Sequence, residues 1–219
     1  MTLNPQFFNR PAGEVAQTLI GKIIRHKIDK KWLVARIIET EAYEVSDRAS
    51  HSSLGQSPSR TAMFMAPGTI YMYYARGSDS LNFSVGEPGD AVLIKSAYPV
   101  EEQMSPAALG LMHANNPGPQ GPRPINRLCA GQTLLCKSLG LKVKDWDGKT
   151  LQPNQFELQA DHYRPSEIIQ CRRLGIPKGR DEHLLHRYVD AAYAKHCTSN
   201  PLSKRDWQEG DHYQRLPGP

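Results

Sequence analysis

Two carboxylates and two aromatic rings lie close together early in the chain. Residues 36–43 read RIIETEAY, and a histidine, His51, follows in a polar stretch. The β-branched start of this segment is typical of a strand, whose side chains alternate between two faces. A carboxylate can activate a water molecule, and an aromatic ring can stack on a flat ligand. Alternation predicts that one face carries Ile37, Glu39, Glu41 and Tyr43.

An ordinary structural interpretation is open for the same residues. Glu39 and Glu41 can be solvated charges at a strand end, since exposed carboxylates far outnumber catalytic ones. Spacing and periodicity do not choose between the two carboxylates. Residues 63–74 supply further rings in the sequence MFMAPGTIYMYY, yet Tyr and Ile also favour buried strands. The residues alone leave open whether this region is a pocket or part of the core.

Several motifs in order resemble those of the alkyladenine (3-methyladenine) DNA glycosylases. That family has E-T-E-A-Y, then a histidine, a Met-Phe-x-x-Pro-Gly-Thr-x-Tyr-x-Tyr segment, an asparagine and a V-L-[LI]-[RK] strand. In this chain the matching positions are residues 39–43, His51, residues 63–73, Asn82 and residues 92–95. The resemblance spans about residues 7–190. Ordered motifs at matching spacing are far more specific than any one of them.

The resemblance implies catalytic chemistry at the strand end. Glu41 would take a proton from the water that attacks the deoxyribose C1′. Lys95 would hold this water or a phosphate nearby. Many members have arginine at the position of Lys95, and lysine keeps that charge without the bidentate geometry.

The resemblance also implies a pocket for a base turned out of the duplex, which an enzyme needs because a stacked base cannot be reached. Its stacking walls would be Tyr43, His51 and Tyr73. Asn82 would line the floor and crowd the exocyclic amino group of guanine. Positively charged, electron-poor bases would stack well on electron-rich rings.

Two further departures from the family pattern concern contacts with DNA. Many members have a tyrosine that fills the gap left by the flipped base, where this chain has Arg76. The DNA wedge is therefore Arg76 or, as the other candidate, Tyr74. Residues 131–134 read GQTL where many members have Gly-Pro-x-Lys, so one lysine contact with DNA is missing.

These expectations describe a monofunctional DNA glycosylase for base excision repair, which hydrolyses the N-glycosidic bond of alkylated or deaminated purines. The alternative is a non-catalytic nucleic-acid-binding module similar to the C-terminal RNA-binding domain of formyltransferases, which needs no water-activating carboxylate. A third possibility is a metal-dependent hydrolase that uses His183 and His186. Surface histidines in a charged helical turn are the simpler interpretation, because no third ligand is placed by the sequence.

Composition limits the partners. The 219 residues contain 27 Lys and Arg against 22 Asp and Glu, a net charge of +5 that permits a polyanion such as DNA. No nucleotide-binding glycine motif is present, so no cofactor is expected. No metal is expected either, because the four cysteines form no Cys-x-x-Cys pair and the sequence places no third ligand with His183 and His186. We expect a monomer that binds double-stranded DNA containing damaged purines and has no membrane partner. No secretion signal opens the chain, which predicts an intracellular protein, cytoplasmic (nucleoid) or nuclear.

Short strands separated by turns, with helices in the second half, predict an α+β fold. The family resemblance adds a single mixed domain whose curved antiparallel sheet carries the pocket. We assign residues 1–202 to this glycosylase domain and residues 203–219 to a polar, loosely ordered tail. Predicted elements include a hairpin turn at Asp29 and Lys30, a turn at residues 77–79, and helices at residues 14–20, 100–112 and 133–139.

Overall fold

One antiparallel sheet of nine strands organises the part of the chain that the computed structural model describes, residues 2–203 and 206–219. Its order is β3-β4-β5-β2-β8-β7-β9, and β1 pairs with both β2 and β6. The strands are β1 (Ile23–Ile28), β2 (Lys31–Tyr43), β3 (Ile70–Ala75), β4 (Ser78–Ser84), β5 (Ala91–Pro99), β6 (Phe156–Gln159), β7 (Glu167–Cys171), β8 (Arg187–Asp190) and β9 (Tyr213–Pro217).

Five α-helices are found in the same residues, and they pack around this sheet. They are α1 (Pro5–Phe8), α2 (Ala12–Leu19), α3 (Pro106–Asn115), α4 (Gln132–Leu139) and α5 (Val143–Trp146). Short 3₁₀ segments include His51–Leu54 and Pro58–Phe64 in the loop after β2. The architecture is a single α+β domain, as predicted. None of the described helices is both long and apolar enough to span a lipid bilayer.

Two tight hairpins set the register of the strands near the site. Asp29 and Lys30 have φ of 47° and 65° between β1 and β2, which confirms the predicted turn. Arg76 and Gly77 have φ of 51° and 76° between β3 and β4. Positive φ at both central residues is typical of type I′ hairpin turns, whose twist matches that of the strands. The turn predicted at residues 77–79 is therefore one to two residues too late, and Arg76 lies at the hairpin tip.

The main hydrophobic core lies between the sheet and the helices. Helix α2 contributes Val15 and Leu19 to it, and α4 contributes Leu135 and Leu139, each pair spaced to lie on one helical face. A second cluster forms around Ile38 of β2, together with apolar residues of β7 and β8. Strand β2 is therefore covered along much of its length, and nine of the eleven residues from Leu33 to Tyr43 are buried.

Three of the predicted elements were wrong in detail. The helix predicted at residues 100–112 begins only at Pro106, because Ser105 caps it by accepting a hydrogen bond from Ala108 N. His183 and His186 precede β8 in a segment without helix, so they do not share a helical face. The tail predicted to be loosely ordered contains β9, which pairs with β7; residues 204 and 205 of that tail lie outside the described residues.

Candidate active site

A pocket of about 170 Å³ opens where the end of β2 meets β3, β4 and the loop after β2. The structure brings four of the predicted residues into its lining. They are Tyr43 at the end of β2, His51 in the loop, Tyr73 in β3 and Asn82 in β4. The other lining residues are Ala49, Met63, Tyr71, Ala91 and Ile176. Several separate segments thus build one cavity lined by four aromatic rings.

Three rings pack together along one side of the pocket. The Tyr73 ring centroid lies 4.5 Å from that of His51 at 69°, and 5.6 Å from that of Tyr71 at 27°. His51 Nδ1 is 2.9 Å from the Tyr71 hydroxyl, so one hydrogen bond joins them. Burial lowers the pKa of His51, and the nearby Arg60 and Arg180 lower it further. His51 is therefore an uncharged wall at pH 7.

Asn82 is fixed at the pocket by its strand pairing. It lies opposite Tyr71 in the β3–β4 ladder, and its Nδ2 donates to the Tyr71 carbonyl oxygen at 3.1 Å. Its side chain is buried while still lining the pocket. A side-chain amide held in this way presents a polar group of fixed orientation to whatever enters.

Glu41 and Lys95 are not among the residues that line the pocket, but Glu41 contacts the lining residue Tyr43, and its two oxygens have different environments. Oε2 accepts a hydrogen bond from the Tyr43 hydroxyl at 2.7 Å. Oε1 lies 3.3 Å from Lys95 Nζ and accepts no hydrogen bond from any described residue, although it is buried. Burial, and then the charge of Glu41, raises the pKa of Tyr43 well above its ordinary value. Tyr43 therefore stays a donor, and Oε1 is the oxygen left to accept a proton.

Glu39, the other candidate base, is fully engaged by the protein. Its Oε1 accepts from Arg187 Nε at 2.7 Å and from Thr198 Oγ1 at 2.6 Å. Its Oε2 accepts from Ser96 Oγ at 2.5 Å and from Thr198 N at 3.0 Å. Burial alone would raise the pKa of Glu39, but Arg187 and these hydrogen bonds outweigh it and lower the pKa. Glu39 is an ionised structural carboxylate and does not line the pocket.

Two β-bulges separate these carboxylates from the regular alternation. The β2–β5 pairing skips Ile38 on β2 and then Lys95 on β5. Ile37 packs in the main core, whereas Glu39 lies with Ile38 near Cys171 of the second cluster. The prediction that Ile37 shares a face with the carboxylates was therefore wrong. Bulges re-aim side chains next to functional sites, and here one accompanies Lys95 at Glu41.

Comparison with known families gives a match over most of the chain. Residues 6–194 match the family model described as methylpurine-DNA glycosylase. The chain belongs to the methylpurine-DNA glycosylase family. This confirms the resemblance seen in the motifs.

Curated relatives agree with this family assignment. A protein of Pseudomonas fluorescens (strain Pf0-1) is 56% identical over 209 residues, which cover 94% of this chain and 90% of the relative. A protein of Pseudomonas aeruginosa (strain UCBPP-PA14) is 57% identical over 200 residues, with 90% and 84% covered. One from Chlorobium phaeobacteroides is 34% identical over 180 residues, with 80% and 86% covered. All three are named as candidate 3-methyladenine DNA glycosylases.

The two wedge candidates of this glycosylase-family chain occupy the β3–β4 hairpin, which forms one edge of the sheet. Arg76 is at the tip of the hairpin, and Tyr74 has 62% of its surface exposed just before it. Tyr73, on the same strand, lines the pocket. The pocket wall Tyr73 and the two wedge candidates thus lie within four consecutive residues, at the end of β3 and in the turn after it. The choice between the two wedge candidates stays a prediction.

Sequence reasoning did not identify every residue of the site. Tyr71 was quoted within a motif but given no role, although its two-residue spacing from Tyr73 is a strand signal for a shared face. Ile176 lines the pocket from a distant part of the chain. It lies with Arg173 in residues 172–176, RRLGI, where the family resemblance is weak, and neither residue was assigned a role. The Arg173 guanidinium lies 4.6 Å from the Tyr43 ring centroid.

Proposed function

We propose that this chain is a monofunctional DNA glycosylase that hydrolyses the N-glycosidic bond of alkylated or deaminated purines in double-stranded DNA. The observation that carries the proposal is the environment of Glu41. It is a buried carboxylate at an aromatic pocket, with one oxygen held by Tyr43 and the other without a hydrogen-bond donor among the described residues. A general base needs this kind of free, oriented oxygen.

Access to the damaged base requires that the nucleotide leave the duplex. The base then enters the pocket, where Tyr43, His51 and Tyr73 offer the ring faces on which a purine can stack. Because His51 is neutral, it does not repel a positively charged alkylated base. Asn82 at the pocket crowds the exocyclic amino group of guanine, which disfavours the undamaged base.

The chemical step is a hydrolysis at the deoxyribose C1′. A water donates a hydrogen bond to Glu41 Oε1, which orients it; the water then loses that proton to Oε1, and its oxygen forms a bond to C1′. The N-glycosidic bond breaks, and its electron pair leaves with the base. Alkylation or deamination makes the base a better leaving group, so the pocket need not supply all of the discrimination. The products are the free base and an intact abasic site.

Lys95 supports this carboxylate. Its ammonium lies 3.3 Å from Glu41 Oε1 and has 15% of its side chain exposed, so it can hold the water or an adjacent DNA phosphate. The ion pair with Glu41 engages the Lys95 amino group. Water is therefore the attacking group in our proposal, and no covalent enzyme–DNA intermediate forms.

The wider setting follows from the substrate. We propose that the protein acts as a monomer, without cofactor or membrane partner, inside the cell where the DNA lies. The relatives named above are bacterial, which favours the bacterial cytoplasm over a nucleus. The family match favours a glycosylase over the non-catalytic formyltransferase-like module, for which the comparisons give no support.

The direct test is release of a damaged base. The protein is incubated with duplex oligonucleotides that contain hypoxanthine or ethenoadenine, and with methylated DNA, and free base is measured by chromatography. We expect release from at least one of these and none from undamaged duplex. The same result in a strong chelator argues against a metal-dependent hydrolase. If all three substrates stay intact, the proposed function is wrong.

A further inference from the structure

A buried arginine behind the pocket contacts several of the segments that build it. Arg173 follows β7 and has only 4% of its surface exposed. Its guanidinium forms an ion pair with Asp47, donates to the Ala42 carbonyl oxygen at 3.1 Å and lies 4.6 Å from the Tyr43 ring centroid. Arg173 does not itself line the pocket. Of the residues that it contacts, Tyr43 lines the pocket, and Ala42 and Asp47 lie within two residues of lining residues.

This guanidinium is linked to two separate pocket walls, and a third wall belongs to its own segment. Tyr43, from the end of β2, is in direct contact. Asp47 Oδ1 accepts a hydrogen bond from Ala49 N at 2.9 Å, and Ala49 lines the pocket. Ile176, three residues beyond Arg173, is the wall from the far part of the chain. One buried cation therefore connects the strand end, the loop after it and the segment after β7.

We propose that Arg173 is a positioning residue that holds the Tyr43 ring, and through Tyr43 the carboxylate of Glu41, in the geometry for base excision. This role rests on the proposed function. Tyr43 serves two groups at once, since its ring lines the pocket and its hydroxyl donates to Glu41 Oε2 at 2.7 Å. A ring that tilts would disturb both the stacking surface and the oriented carboxylate.

Arginine is suited to this task in a way that lysine is not. Its planar guanidinium can stack on an aromatic face while its N–H groups donate in the plane to a carboxylate and a carbonyl. Arg173 makes all three contacts, to Tyr43, Asp47 and Ala42. Lysine keeps the charge but offers neither the flat surface nor the fixed directions. Arg173→Lys is therefore a mild substitution that loosens Tyr43 without removing the cation.

The chain contains a matched control for this substitution. Arg36, in β2, lies over the Tyr163 ring at 4.5 Å and pairs with Asp161 at 2.7 Å, so it combines the same ring and carboxylate contacts. Neither Tyr163 nor Asp161 lines the pocket. Arg36→Lys thus changes an equivalent arrangement away from the site, and it reports the purely structural cost of such a change.

The experiment is a double-mutant cycle on single-turnover base excision. Arg173→Lys and Arg36→Lys are each made in the wild-type chain and in a Tyr43→Ala background. A side chain misplaced by about 1 Å can lower a rate about 100-fold, so we expect Arg173→Lys to slow excision by about tenfold or more. In the Tyr43→Ala background its effect should shrink to about twofold or less, because residues that act through one another are not additive. Arg36→Lys should change the rate by less than about twofold in both.

Several results would overturn the proposal. One is a near-normal excision rate for Arg173→Lys. Another is an equal loss of excision rate for Arg173→Lys in the wild-type and Tyr43→Ala backgrounds. Thermal melting shows whether each variant is folded. Asp47→Asn gives an independent check, because its effect on the excision rate should also shrink in the Tyr43→Ala background. If neither Arg173→Lys nor Asp47→Asn folds while Arg36→Lys does, the ion pair holds the fold and not the ring. A wild-type chain that excises no base refutes the proposed function itself, which distinguishes the two failures.

Discussion

At the scale of single residues, Glu39 and Glu41 differ in how many groups hold them. Among the described residues, four hydrogen bonds engage Glu39, whereas Glu41 accepts one, from Tyr43, and forms an ion pair with Lys95. We expect Glu41→Gln to lower the rate of base excision by about 10²- to 10⁴-fold or more, because an amide cannot take the proton. Binding to lesion-containing duplex should stay close to normal. A near-normal single-turnover rate in Glu41→Gln would show that Glu41 is not the base.

The matched substitution at Glu39 should act on stability. Glu39 and Arg187 form an ion pair in which both side chains are fully buried. Glu39→Gln removes the negative charge of this pair and leaves the buried Arg187 cation without it. Breaking a buried ion pair costs about 3 kcal/mol or more, which lowers the melting temperature by about 6 °C in a chain of this size. Glu41→Gln should melt much closer to wild type, since Lys95 is partly exposed. The reverse order of melting temperatures would contradict the structural role of Glu39.

Lys95 raises a separate question at this scale, because a lysine beside the reaction centre could itself attack C1′. Its amino group is engaged in an ion pair with Glu41, so we expect water to be the nucleophile. Borohydride added during the reaction should therefore trap no enzyme–DNA adduct, and the DNA strand should stay intact until treated with base. A trapped adduct that disappears in Lys95→Arg would contradict a monofunctional mechanism.

The residue scale also shows what the sequence could and could not reveal. Tyr43, His51 and Tyr73 were predicted as pocket residues because they lie in motifs whose order and spacing are specific. Spacing could not distinguish the roles of Glu39 and Glu41, because residues two apart on a strand lie on the same face. The partners that distinguish them, Arg187 and Thr198, are about 150 residues away in sequence and only meet Glu39 through the fold.

At the scale of secondary structure, the sequence predicted periodic elements and missed irregular ones. Helices α2 and α4 have apolar residues at four-residue spacing, and both were expected. Strand β8 has four residues, all buried, so it offers no alternation to recognise. The bulges at Ile38 and Lys95 depend on how β2 pairs with β5, and a single-strand pattern cannot contain that information.

The β3–β4 hairpin leads to a prediction about the DNA wedge. Removing a base from the stack leaves a gap that costs a few kcal/mol unless a side chain fills it. Arg76 lies at the hairpin tip and can stack its guanidinium on neighbouring bases. We expect Arg76→Ala to slow excision from a stable base pair more than from a mismatch, where flipping is easier. The measurement is the single-turnover rate on one lesion placed opposite two different bases.

Arg76→Lys is the control for this prediction, because it keeps the charge and removes the planar group. If Arg76 only contacts a phosphate, Lys should restore most of the activity, and Arg76→Ala should weaken both duplexes alike. The salt slope of binding should then also fall by about one unit. Equal deficits on the two duplexes would exclude Arg76 as the wedge. The role would then pass to Tyr74, which is the exposed aromatic next to it.

At the scale of the whole molecule, the pocket and the wedge hairpin lie toward one edge of the sheet. Strand β3 forms that edge and β9 forms the opposite one in the strand order. Composition predicted a mildly basic single domain, but it could not place the charge. The sequence also did not predict strand β9, because this strand is largely exposed and its pattern has no continuous apolar face.

This arrangement predicts how binding should depend on salt. Each DNA phosphate that a basic side chain neutralises contributes a slope of about −0.9 to a log–log plot of affinity against salt. Lys95 and Arg76 are the candidate contacts, so non-specific duplex should bind with a slope of about −1.8 or steeper if both touch phosphate. Arg215, in β9, pairs with Glu167 and Glu209 at the opposite edge. Arg215→Ala should therefore leave the slope unchanged, whereas Lys95→Ala should reduce it. Affinity that does not change between low and moderate salt would contradict DNA as the partner.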